Sequence, residues 1–162
     1  MKLWRIATAT RTYRADDLTG TEAAKYPWRW NADGEKVVYA AASVALAVLE
    51  TAAHIDSAGL PLNRFLVELD VAAGVWAKRA TLDVSKLDAS WQAIPPGAAS
   101  VNAGSAWLRS ASSALLLVPS VIVPEEAAAL INPAHPDAAG IKAKVLRKYE
   151  YDRLFRGAGP KP

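Results

Sequence analysis

The sequence predicts an α+β domain, with mixed, mainly antiparallel β-sheets and a few packed helices. Three observations lead there. Strand-like segments outnumber helical ones, and the two kinds do not alternate as strict βαβ units would require. In addition, 52% of the 162 residues are hydrophobic, which is ample material for one packed core. A single domain over residues 1–162 is expected.

Residues 3–8, LWRIAT, alternate and open the chain as a strand. Residues 15–36 carry Gly and Asp with little periodicity and read as a loop, a length that is uncommon in a compact domain unless it is functional. Residues 36–42, KVVYAAA, read as a second strand. Ser43 offers a hydroxyl N-cap to a helix over 44–56, in which Val44, Leu46, Val48, Leu49 and Ala53 form one broad apolar face. Glu50 lies one turn beyond Leu46, on or beside that face, and His54 suits a helix C-terminus, where the dipole favours a cation. After a Pro-led turn, residues 65–71 form a strand with Phe65, Val67, Leu69 and Val71 on one side. Residues 74–100 read as short extended pieces and turns, and 104–112 as a short helix. Residues 114–124, ALLLVPSVIVP, form an apolar strand broken at Pro119, which has no N–H for a ladder. Residues 125–140 read as a turn of helix followed by a loop. The segment 142–155 alternates as a strand, with Val145, Arg147, Tyr149 and Tyr151 on one face.

Composition excludes several functions. Nineteen basic and 16 acidic residues give a net charge of +3, and the basic residues are scattered rather than gathered into a nucleic-acid face. The chain has no cysteine, so disulfides, thiolate nucleophiles and Cys-based zinc sites are ruled out. His54 and His135 are far apart and lack partners at metal spacing, so no metal is expected. Arg5 and Arg11 interrupt any signal-peptide core, and the apolar runs 37–49 and 114–124 are too short to cross a bilayer. The expectation is a soluble, cytoplasmic protein without a membrane partner. The six tryptophans (Trp4, Trp28, Trp30, Trp76, Trp91, Trp107) suit core and pocket wall. The common nucleotide and hydrolase fingerprints are absent.

What remains is a small set of polar residues among apolar ones: Arg29, Tyr39, Glu50 and Ser120. Arg29, flanked by Trp28 and Trp30, either pairs with an acidic neighbour or offers its fork of donors to a phosphate or carboxylate. Tyr39 reads most simply as a core tyrosine and Glu50 as a solvent-facing helix-end residue, and Ser120 could satisfy the backbone at the Pro119 break. Taken singly, none of them specifies a function.

Taken in order, they resemble a known family. Arg-Trp-Asn, then Val-Val-Tyr-Ala-Ala and Ala-Leu-Ala-Val-Leu-Glu, and later Leu-Leu-Val-Pro-Ser-Val-Ile-Val-Pro-Glu with Leu-Ile-Asn-Pro-x-His-Pro, together resemble the RES domain family. The likeness runs from Trp4 to the YEYDRLF segment at 149–155. It implies a toxin of a bacterial RES–Xre toxin–antitoxin pair, with a fold like that of diphtheria-toxin-type ADP-ribosyltransferases and NAD as substrate. Matched by position, the family's arginine, tyrosine, glutamate and serine fall on Arg29, Tyr39, Glu50 and Ser120. Glu50, Arg29 and Tyr39 are thereby implied as catalytic. Arg29, Tyr39, Ser120, Asn31 and Ser43 are implied as NAD-binding, with Asn132 a neighbouring motif position. The resemblance further implies a cognate Xre-like antitoxin and an ADP-ribose acceptor that is water, phosphate or a host-cell protein. It also allows a homodimer within the toxin–antitoxin complex. Two departures, YPWRWN before the strand and Ser105 in NAGSAWL where similar sequences tend to carry Gly-Asp, fall where the pocket rim is expected.

Overall fold

The computed structural model describes residues 1–53, 55 and 63–151. Its elements are β1 (Lys2–Thr8), α1 (Thr21–Lys25), β2 (Val38–Ala41), α2 (Val44–Ala52), β3 (Arg64–Val71), α3 (Ala73–Ala77), β4 (Ala80–Thr81), α4 (Ala98–Ser110), β5 (Leu115–Pro119), β6 (Ala127–Ile131) and β7 (Ile141–Tyr149). The strands form one seven-stranded sheet in the order β4-β5-β6-β2-β1-β3-β7. Among the described residues only the β4–β5 pair is parallel, so the architecture is the expected mixed, mainly antiparallel α+β.

Side-chain alternation divides the core. Leu3, Val38, Ala40, Val67, Leu69, Leu115, Ala129 and Ile131 point to one face and pack as a single layer under α3. The other face carries two separate clusters. Leu116, Val118, Ala128 and Leu130 pack with Trp30, Trp91 and Trp107 beside α4. Ile6, Ala41 and Leu66 pack with Leu46, Ala47, Val48 and Tyr151 beside α2. Between them the sheet has a thin seam, because β1 and β2 register only at Trp4 opposite Ala41, whereas β1 and β3 pair over seven positions. The cavity described below opens over that seam.

α2 forms where expected. Ser43 is extended, at φ −133° and ψ 158°, and its side chain accepts a hydrogen bond from the Leu46 amide at 3.1 Å. Leu46, Ala47 and Val48 are buried against the sheet, and full burial of Leu46 contributes about 2 kcal/mol. Leu49 does not share that face and is exposed. α2 ends at Ala52, short of the expected residue 56, while His54 and residues 152–155 of the last strand lie outside the described residues.

Several expectations are corrected. The Ala-rich stretch read as a turn of helix is the strand β6, bonded along its length to β2 and β5. The helix preference of Ala, the strongest of any residue yet small per position, loses to ladder hydrogen bonds on both sides and to burial of Ala129, Leu130 and Ile131. The 15–36 loop contains α1. The segment 74–100 carries α3, two short 3₁₀ turns (Val84–Lys86 and Ala89–Gln92) and the start of α4, with only Ala80–Thr81 extended. β5 ends at Pro119 rather than resuming beyond it. In β7, a register shift opposite Leu66/Val67 separates Val145, which packs in the first layer, from Tyr149 and Tyr151, which pack beside α2. The alternation placed them on one face, but the extra residue of a bulge moves every later side chain to the other.

Candidate active site

A cavity of about 700 Å³ lies over the seam, lined among others by Trp4, Trp28, Arg29, Tyr39 and Glu50. Three of the four residues singled out from the sequence therefore meet in one space. They reach it from an irregular loop, a strand and a helix end, respectively.

Arg29 sits in the loop between α1 and β2. Its Nη1 donates to the carbonyls of Trp91 at 2.7 Å and Ala93 at 3.0 Å, which aim the guanidinium along the cavity wall. Burial lowers the Arg29 pKa from its usual value, and the nearby Glu50 carboxylate and Tyr39 phenol push it back up. Arg29 and Glu50 are thus within electrostatic reach of each other. Glu50 projects from the last turn of α2, next to Thr51, whose hydroxyl donates to the Ala47 carbonyl at 2.8 Å and is also bonded to the Tyr151 hydroxyl.

Tyr39 uses its hydroxyl internally. It donates to Asn31 Oδ1 at 2.8 Å and accepts from the Trp30 amide at 3.0 Å. The ring is thus what Tyr39 offers the cavity, with the Trp28 ring 5.2 Å away. Asn31 is buried behind it and does not line the cavity. Its Oδ1 accepts from the Trp28 amide at 3.0 Å, and its Nδ2 donates to the carbonyls of Ala23 at 2.9 Å, Ala32 at 3.1 Å and Glu35 at 3.1 Å.

Ser120 is buried in the turn after β5, between Pro119 and Val121, which both line the cavity. Its Oγ accepts from the amides of Ile122 at 3.1 Å and Val123 at 2.9 Å. Ser43 caps α2 and donates to Glu126 Oε2 at 2.8 Å, tying the helix start to that same turn. Asn132 lies away from the cavity, where its Nδ2 donates to the Leu108 carbonyl at 3.0 Å.

Sequence reasoning missed a charged end of the cavity built from Arg5, Glu22, Arg64, Thr8 and Tyr13. Glu22 accepts from Thr8 at 2.8 Å, and its carboxylate lies 3.3 Å from Arg5 Nη2 and 3.7 Å from Arg64 Nη1. The available signal was Arg5, a charge inside an otherwise apolar strand. Such a residue must be paired once buried.

The RES domain family model matches residues 2–153. The chain is 55% identical over 156 residues to the Prs ADP-ribosylating toxin of Sphingobium sp. (strain YBL2), covering 96% of this chain and 97% of that one. It is 36% identical over 135 residues to a Toxin Res of Yersinia enterocolitica, covering 83% of this chain and 86% of that one. Among solved structures it is similar to a chain of the M. tuberculosis MbcT–MbcA toxin–antitoxin complex, with a TM-score of 0.63 at 16% identity, covering 96% of this chain and 89% of the other.

Proposed function

The chain belongs to the RES domain family of toxins, and we propose that it cleaves NAD at the nicotinamide–ribose bond and transfers the ADP-ribose to a protein, arresting growth unless held by a cognate antitoxin. The observation that carries this reading is the meeting of Arg29, Tyr39 and Glu50 around one cavity. Each residue offers what the reaction needs at a different part of the substrate.

When the glycosidic bond breaks, its electron pair leaves with nicotinamide, which departs neutral. Positive charge then develops on the ribose as an oxocarbenium-like species. The Glu50 carboxylate stabilises that charge through space or through the ribose hydroxyls, as the paired carboxylates of glycoside cleavage do. Arg29, held by two carbonyls through Nη1, directs its remaining donors to the pyrophosphate. Tyr39, whose hydroxyl is engaged by Asn31 and Trp30, presents its ring for stacking on nicotinamide. The Ser120 turn orients a ribose or amide group. The acceptor's nucleophile bonds to the anomeric carbon and releases its proton.

Identity of 55% with a toxin named for ADP-ribosylating Prs favours a protein acceptor, Prs itself first among candidates, over water or phosphate. The similarity to an MbcT–MbcA complex supports an antitoxin partner, here assigned to the Xre-like class. The purified chain is expected to release nicotinamide from NAD. With labelled NAD and lysate or purified Prs, it should leave label on protein. Glu50→Ala is expected to lower release by about a thousandfold. Absence of release by the parent chain, with lysate and phosphate supplied, would refute the reading.

A further inference from the structure

Arg29 and its neighbours lie in no regular element, so something must hold residues 27–37 in one conformation. From inside, Asn31 does so. From outside, the contacts converge on Glu35. Its Oε2 accepts from the Ala32 amide at 2.9 Å and from the Ser105 hydroxyl, and its Oε1 accepts from Arg109 Nη1 at 3.1 Å. One carboxylate thus binds the loop's own backbone and two side chains of α4, some 70 residues away in sequence.

The loop and helix also approach at backbone level. A Cβ added at Gly104 would lie 1.9 Å from the Trp30 carbonyl oxygen, so only glycine allows α4 to seat there. Trp30 in turn gives its amide to Tyr39. The carbonyls that hold the Arg29 guanidinium belong to Trp91 and Ala93, at the end of the 3₁₀ turn Ala89–Gln92, which packs on the same helix. Both the backbone that carries Arg29 and the acceptors that aim it are therefore referenced to α4.

We infer that Glu35 is a positioning residue for this site: by tying the 27–37 loop to α4 through Ser105 and Arg109, it sets the placement of Arg29 and Tyr39 without touching the substrate. The Glu35 carboxylate satisfies three donors at once and is only partly exposed. Removing it cuts the polar tie between the loop and α4 while leaving the sheet and the apolar packing of Trp30 in place. The functional consequence rests on the NAD reading above, but the tie itself does not.

The experiment has two arms on the full chain. Hydrogen exchange by mass spectrometry compares peptides covering 27–39 with those from β1 and β3, in the parent, Glu35→Ala and the milder Glu35→Gln. Glu35→Ala should speed exchange over 27–39, at the Ala32 and Trp30 amides above all, with the strands unchanged and Glu35→Gln intermediate. In parallel, nicotinamide release should show the KM for NAD raised about tenfold or more in Glu35→Ala, with kcat affected less, since misplacing a binding group by an ångström costs up to about a hundredfold. Unchanged exchange over 27–39 would overturn the inference. So would a loosened loop with an unaltered KM, or a fall in apparent kcat alone that only tracks the folded fraction. If the parent chain releases no nicotinamide, the NAD reading fails and the exchange arm alone decides the positioning role.

Discussion

Arg29 and Glu50 face the same cavity but are delivered to it in different ways. Glu50 rides on a regular helix, in which Ser43 caps the start, Leu46, Ala47 and Val48 bury one face, and helical periodicity then fixes where residue 50 emerges. Arg29 sits on a loop with no periodicity, placed by side-chain hydrogen bonds from Asn31 and Glu35 and by the close seat of Gly104. The helix is redundant, since many small contacts share the task. The loop depends on a few polar groups, each buried or partly buried, and losing one strands its partners. The loop side of the site is therefore expected to be more sensitive to single substitutions than the helix side.

The sharpest way to break this comparison is Asn31→Ala. It removes the acceptor of the Tyr39 hydroxyl and of the Trp28 amide, and the donor to three carbonyls. The expected cost is about 2 to 3 kcal/mol in urea unfolding, with NAD cleavage weakened beyond what the folded fraction explains. A loss below half a kcal/mol would mean that the loop does not hang on its inner bracket.

Next comes the joint between loop and sheet, Tyr39. Burial raises its phenol well above the ordinary tyrosine value of 10.0, outweighing the Trp30 amide and Arg29, which favour the phenolate. The folded state therefore prefers the neutral phenol. The resulting stability is full below about pH 10 and is lost as pH climbs from there towards the raised folded value. In thermal melts, Tyr39→Phe should flatten the decline in Tm above pH 10. It should not abolish it, because burial raises Tyr13 and Tyr151 in the same direction. Superimposable alkaline profiles would contradict the buried, internally bonded phenol.

The smallest effect is expected on the helix side. Ser43→Ala removes the N-cap and the bond to Glu126, at a cost of about 1 kcal/mol by chemical denaturation. Glu50 should stay in place, and nicotinamide release should fall less than in Asn31→Ala. If Ser43→Ala instead costs as much activity as Asn31→Ala, the contrast between helix and loop fails.

Much of the fold was legible in the sequence because strands with one or two buried faces show it in their side chains. β1, β2, β3 and β5 and the capped helix α2 are found close to where alternation, periodicity and the Ser43 cap put them. β6 was misread because alanine carries little side-chain signal, and its strand state comes from neighbours on both sides. The bulge in β7 was invisible because a single added residue leaves composition and local alternation unchanged. Arg29, Tyr39, Glu50 and Ser120 were picked out as an ordered set of motifs. Asn31 was marked as an NAD-binding position, and that its polar atoms are spent instead on Tyr39, Ala23 and the loop backbone was not readable. Nor was the Arg5–Glu22–Arg64 end of the cavity, since charged partners 17 residues apart or more leave no local pattern.

By itself, then, the sequence determined which residue types were on hand, which strongly patterned segments would be strands or helix, and in what order the motifs follow. These are properties of short windows, where side-chain period and capping chemistry act between near neighbours. Only the tertiary structure decided that the helical face of the sheet divides over a seam paired at Trp4 and Ala41. It also decided that Arg29 is aimed by carbonyls some 62 residues away and that Tyr39 keeps its hydroxyl for the loop. Those outcomes depend on which distant groups are brought within 3 Å of one another, and hydrogen bonds and close packing act only at that range.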